Sequence, residues 1–181
     1  MSYPTEPCFV HECNGWDEAL LKHPAFKFMR NFESSFAKGT MYSATEPFGT
    51  WHTADFTYTD EVGKTTTGVE AFEKAREMYK TLLVEFYHNP RFAMVKETSD
   101  GYDCFGQADL YGNYKVSGDK NVTDPEGRSA GVWRMMYRKD ANHPDGLRMS
   151  LMKIYVNALP LVAGAVNREM LSQDIMFLNA Y

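Results

Sequence analysis

The sequence predicts an α+β fold, and three observations carry that prediction. The expected elements run helix, helix, strand, helix and then a group of strands. The strands are separated by turn residues that suit an antiparallel meander. The regular strand-helix alternation of a parallel sheet is missing. With 181 residues, 44% hydrophobic and 14% aromatic, the chain can bury one core, which predicts a single domain over 16–158. An N-terminal arm is expected at 1–15 and a helical extension at 159–181.

The arm is read from Pro4, Pro7 and Gly15, which favour extended backbone. From Trp16 to Lys38 the pattern turns helical, interrupted near His23-Pro24 because proline disfavours helix in the residue before it. Phe28, Phe32 and Phe36 recur every four residues with Met29 beside them, a wide apolar stripe that stops by Gly39. A further short helix is expected over 40–51. Ala54 to Thr59 alternates Phe56 and Tyr58 with Thr57 and Thr59, as a half-buried strand does. Val69 to Tyr87 places Phe72, Ala75, Met78, Tyr79, Leu82, Leu83 and Phe86 on one helical face, opposite Glu70, Glu73 and Lys74. Strands follow at Phe92 to Glu97, Tyr102 to Val116, Gly131 to Lys139 and Leu147 to Asn157. Ser99-Asp100-Gly101, the polar loop from Ser117 to Arg128, and Asn142 to Gly146 divide them. A terminal helix is expected from Leu159 to Phe177.

Composition removes several classes of function. A net charge of −5, a pI near 5.5 and 19 scattered Lys and Arg residues exclude the basic face that nucleic acid needs. No apolar run is long enough to span a membrane, and the opening residues lack a signal-peptide pattern, so a cytoplasmic protein is expected. Cys8, Cys13 and Cys104 are too few and wrongly spaced for a disulfide framework or a zinc site, and read as reduced thiols. Without a phosphate-binding glycine loop, a nucleophile elbow or HExxH, phosphoryl transfer, serine hydrolysis and zinc proteolysis are set aside. No metal or cofactor is expected.

The stretch Phe48 to Ala71, FGTWHTADFTYTDEVGKTTTGVEA, runs from an aromatic helix end into a short strand ending on Asp60, through a glycine turn, into a helix after Gly68. This order resembles the first strand and following helix of the nuclear transport factor two-like superfamily, over residues 25–157. The resemblance implies a cone-shaped, curved antiparallel sheet wrapped around the N-terminal helices and the long middle helix, enclosing a pocket. Asp60-Glu61-Val62-Gly63 resembles the turn that carries the general base of ketosteroid isomerases. The hydroxyl those enzymes take from their first long helix is replaced here by Phe28, Phe32 and Phe36. Tyr58 and His88 are similar in position to the strand-one tyrosine and the post-helix histidine of scytalone dehydratase. Asn113 stands at the place of that family's second histidine; it can hold an oxygen but cannot shuttle a proton. SnoaL-like polyketide cyclases place an acidic residue on an inner strand, and Asp109 is the counterpart.

The residues themselves leave alternatives open. His88 suits proton transfer near neutral pH, but at a helix end it could equally meet terminal carbonyls. Asp60 is either a base or a turn residue bonding backbone amides. Along Tyr102 to Val116, Asp103, Phe105, Gln107, Asp109, Tyr111, Asn113 and Lys115 share one face and Cys104, Gly106, Ala108, Leu110, Gly112, Tyr114 and Val116 the other. If the polar face looks inward, Asp109, Tyr111 and Asn113 form a hydrogen-bonding wall. A buried carboxylate is costly unless it serves a purpose, which favours that orientation. On the last strand Lys153, Tyr155 and Asn157 share parity with Leu147, Met149 and Leu151, and Lys153 either pairs with a pocket carboxylate or reaches to the rim.

The expected function is a cofactor-independent lyase or isomerase, a dehydratase or cyclase acting on a small hydrophobic polyketide or terpenoid-like substrate. His88, Asp109, Tyr58 and Asp60 are its catalytic candidates. Trp51, His52, Phe105, Tyr111, Asn113, Trp133, Lys153 and Tyr155 are expected to bind the substrate. The alternatives are a non-catalytic small-molecule-binding or dimeric adaptor module, and an epoxide hydrolase using Asp60, Asp109 and Arg134. A homodimer is expected through the outer face of the sheet, where the Gly, Ala and Leu parity of strand 102–116 would permit close approach.

Overall fold

A computed structural model describes residues 8–37, 48–60, 62–114 and 126–170. Several expectations lie outside the described residues: the start of the arm, the helix across 40–47, Glu61, the strand end at Lys115 and Val116, the loop across 117–125, and the terminal helix beyond 170. So do the side chains of Phe36, Met78, Tyr79 and Leu82.

The elements are β1 (Cys8–Glu12), α1 (Glu18–Leu21), α2 (Pro24–Ala37), a 3-10 turn (Phe48–Thr50), β2 (His52–Thr59), β3 (Thr65–Thr67), α3 (Gly68–Leu82), β4 (Leu83–Glu97), β5 (Gly101–Tyr114), β6 (Gly127–Lys139), β7 (Leu147–Val156) and α4 (Leu159–Val166). The strands form one curved sheet in the order β1-β4-β5-β6-β7-β2-β3. The α+β class and the curved sheet are those the sequence predicts. Every neighbouring pair is antiparallel except β2 and β7, which run parallel.

The first two helices start at signals legible in the sequence. Asp17 accepts the Leu20 amide at 2.8 Å to open α1. Pro24, whose fixed φ suits the first helical position, opens α2. Helix α2 then lays its apolar stripe across the concave face, with the Phe28 ring 5.1 Å from Tyr137 and the Phe26 ring 6.3 Å from Trp133. The face of β5 that meets this layer is the small-residue one: Cys104, Gly106, Ala108, Leu110, Gly112 and Tyr114 are all buried. Gly106 is required there. A Cβ would stand 2.4 Å from the Trp133 indole and 2.6 Å from the Phe92 carbonyl oxygen.

Four expectations are corrected. The arm is not merely extended, because Cys8–Glu12 pairs with β4 as an edge strand. The middle helix ends at Leu82, and the chain passes directly into β4, fifteen residues long. Leu83 and Phe86 fit a helical repeat, but pairing with β5 captures them, as tertiary context overrides local pattern. Third, the polar face of β5 does not look inward. Fourth, Lys153 and Tyr155 are separated in facing from Leu147 and Met149. Ser150 is an extra residue between the pairs Met136/Leu151 and Tyr137/Met149, a bulge that reverses the parity of β7. A second bulge at Arg91, between the pairs Pro90/Ala108 and Phe92/Gln107, does the same in β4.

Among the described residues no helix is long and apolar enough to cross a membrane. All three cysteines are free thiols, with Cys104 buried and Cys8 exposed.

Candidate active site

Between α2, α3 and the concave face lies a cavity of about 70 Å³, enough for several water-sized groups. Its wall is mostly hydrocarbon, with Phe32, Phe72, Leu110, Trp133, Met152 and Ile154 prominent. Among the described residues four polar side chains break that surface: Glu33 from α2, His52 from β2, Arg76 from α3 and His88 from β4.

Glu33 and His88 form a pair. His88 points inward because β4 alternates, placing Phe86, His88 and Pro90 opposite Gly112, Leu110 and Ala108 of the buried β5 face. Its Nδ1 lies 3.2 Å from Glu33 Oε1, and its backbone N–H donates to the same oxygen. The other carboxylate oxygen accepts from Arg30 Nη1 at 2.8 Å. The Glu33 side chain is only 4% exposed. Burial alone would raise its pKa, but the bonds from His88 and Arg30 prevail and hold it below the ordinary value, so the carboxylate stays ionised. Trp16 fixes this corner from the arm side, its Nε1 donating to the His88 carbonyl at 3.1 Å while the Arg30 guanidinium lies 5.6 Å from its ring.

His52 sits elsewhere on the wall, 2% exposed. Phe48 stacks on it with rings 5.7 Å apart, and Phe32, Phe56 and Phe72 surround it. Burial drives its pKa down to about 3, so the ring is neutral. Arg76 lies over the Phe72 ring at 4.7 Å and pairs with Glu73 at 2.5 Å.

Of the residues expected from sequence, His88, His52 and Trp133 line this cavity. Trp51 packs one layer behind, against Phe28, Phe32 and His143. Tyr58 is buried beside β7, in register with Met152, without reaching the wall.

The others lie away from the cavity. Asp60 is a turn residue: its Oδ1 accepts the amides of Val62 at 3.1 Å and Lys64 at 2.8 Å. Asp109 faces the outer side of the sheet, since the inner side of β5 is filled by small residues under the helices. There its Oδ2 accepts from Arg91 at 2.7 Å, Arg128 at 3.1 Å and the Tyr111 hydroxyl at 3.3 Å. Burial opposes the ionised form of Asp109, but the two arginines outweigh it and lower its pKa. Tyr111 stacks on Tyr87 at 4.9 Å on the same outer face. Asn113 is buried, its Oδ1 accepting the Glu126 amide at 3.2 Å. Phe105 and Tyr155 are exposed on the outer side, and Lys153 shares that face opposite Arg134. Arg134 binds Asp103 at 2.8 Å, so Asp60, Asp109 and Arg134 do not converge as an epoxide-opening relay.

Glu33 is not among the residues expected from sequence, although the sequence carries a signal for it. It falls four residues after Met29 and next to Phe32, inside the apolar stripe, where a charge has to find a partner. Among the described residues no three His, Cys, Asp or Glu side chains converge as metal ligands do.

No family profile matches the sequence, and comparison with curated proteins gives no match. Solved structures are similar in fold. A nuclear transport factor 2-like protein from Rhodospirillum rubrum aligns with TM-score 0.53 and 15% identity over 74% of this chain and 98% of its own. The hexachlorocyclohexane dehydrochlorinase LinA-type3 from Novosphingobium barchaimii aligns with TM-score 0.50 and 17% identity over 77% of this chain and 91% of its own. For a ketosteroid isomerase-like protein from Shewanella frigidimarina the TM-score is 0.52, with 15% identity over 74% and 96%. Helices cupped by a seven-stranded curved sheet, with a cavity between them, give this chain the fold of the nuclear transport factor 2-like superfamily.

Proposed function

We propose that the protein is a cofactor-independent lyase or isomerase that removes a proton from a carbon atom of a small hydrophobic substrate, of the polyketide or terpenoid kind, with His88 as the base. The observation that carries this reading is the Glu33/His88 pair at the wall of an otherwise apolar cavity. A carboxylate on Nδ1 fixes the tautomer, leaving Nε2 to take a proton, and stabilises the imidazolium that results. In an elimination, His88 Nε2 removes the proton alpha to a carbonyl. The C–H electrons form the new double bond as the beta C–O bond breaks, and the imidazolium returns the proton to the departing hydroxyl as water. In an isomerisation the same proton returns to a different carbon. The apolar wall strengthens both charges by excluding water. That a dehydrochlorinase shares this fold accords with elimination chemistry. The protein works as a homodimer paired through the outer face of its sheet.

The test follows enone formation from the aldol adduct of acetone and benzaldehyde, and exchange of its alpha protons with deuterium oxide. The native protein accelerates both. His88→Gln loses about 100-fold or more, and Glu33→Gln about 10-fold or more with the fold intact. If both variants retain full turnover, the pair is structural and the assignment fails.

A further inference from the structure

We infer that His52 presents a bare ring nitrogen, Nε2, to the cavity as a hydrogen-bond acceptor, so that the ligand is an apolar molecule carrying a hydroxyl group directed at the start of β2. The inference rests on the reading of the cavity as a small-molecule site, but not on His88 acting as a base.

The argument begins with the tautomer. Nδ1 of His52 lies 3.3 Å from the Phe48 carbonyl oxygen, which can only accept, so Nδ1 carries the hydrogen. The ring is neutral, because four phenylalanines close it off from water and burial disfavours the charged form. A neutral imidazole has one N–H, which leaves Nε2 with a lone pair and no proton. Among the described residues no protein donor reaches Nε2, although buried acceptors are normally satisfied. His52 is nevertheless part of the cavity wall, so the missing donor comes from whatever fills the cavity.

The placement of α2 gives the ligand a second polar point. Phe32 packs on His52 and the next residue, Glu33, holds His88. Successive helical residues project about 100° apart, so the two histidines serve different parts of one cavity. A hydroxyl satisfies His52. A carbonyl, ether or halide oriented there would set lone pair against lone pair, and the site discriminates against it.

The test compares naphthol, methoxynaphthalene and naphthalene as ligands by titration calorimetry. Naphthol alone of the three can donate. The native protein should bind naphthol about 5- to 10-fold more tightly than methoxynaphthalene. His52→Phe should abolish that gap while binding naphthalene at least as well. Nitrogen NMR of the native protein without ligand should place the His52 proton on Nδ1. A proton on Nε2, failure of naphthol to bind, equal affinity for the two oxygenated ligands, or a preference that survives in His52→Phe overturns the inference. None of these readouts requires turnover, so a failure here is distinguishable from a failure of His88 as the base.

Discussion

The His52 ring titrates from an ordinary value of 6.5 in the unfolded chain to about 3 in the folded protein. Between those values the unfolded state binds a proton that the native state refuses. Stability is therefore fully present above about 6.5 and declines as pH falls toward 3, by about 1.4 kcal/mol per pH unit from this group. In urea unfolding at about pH 7 and about pH 5, the native protein should lose about 2 kcal/mol more than His52→Phe. Equal losses would show that the ring is hydrated in the folded state. His88 was legible in the sequence because an imidazole beside a long helix invites an acid/base reading. Its partner was not, because Glu33 lies among phenylalanines whose spacing signals only a hydrocarbon stripe. Asp109 misled for the complementary reason. Burial cost argued that it faces a pocket, but Arg91 and Arg128 satisfy it on the other side of the sheet.

At the scale of elements, Gly106 is the point where strand, bulge and cavity meet. It pairs with Trp133 on β6 and stands opposite Ala93, just past the Arg91 bulge. A methyl group there meets the Trp133 ring at 2.4 Å and fixed backbone at 2.6 Å, so the indole has to leave the cavity wall. Gly106→Ala should destabilise the protein by about 1–3 kcal/mol. It should also alter near-ultraviolet circular dichroism and naphthalene binding. Unchanged stability and ligand affinity would mean that the Trp133 indole can shift without leaving the cavity wall. The strand meander and the two longer helices were readable from periodicity and turn residues. The junction at Leu83 was not, since apolar residues spaced three and four apart continue across it. Nor were the bulges: a single inserted residue leaves no compositional trace but reverses every side chain beyond it.

Across the whole molecule the outer sheet surface carries an exposed apolar band, and the homodimer proposed above would pair there. Val10, Met94 and Phe105 are register neighbours across β1, β4 and β5, all at least 36% exposed. The line continues one pair along through Val132 and Tyr155 on β6 and β7. Ion pairs border it, with Arg134/Asp103 beside Phe105 and the Asp109 cluster farther along β5. The small-residue parity of β5, which the sequence offers for close approach of two copies, is buried under the helices and cannot form such a contact. Strand order was equally hidden, since the parallel pairing of β2 with β7 joins residues about a hundred positions apart. An apolar band with a charged border suits the pairing of two copies across a two-fold axis. Sedimentation velocity at micromolar concentration should therefore find a dimer for the native chain and a monomer for Phe105→Glu, with unchanged circular dichroism. Val69→Glu, which alters an exposed apolar residue on α3 instead, should leave the dimer intact. A native monomer, or a Phe105→Glu variant that still dimerises, would remove this surface as the interface while leaving the cavity and its histidines untouched.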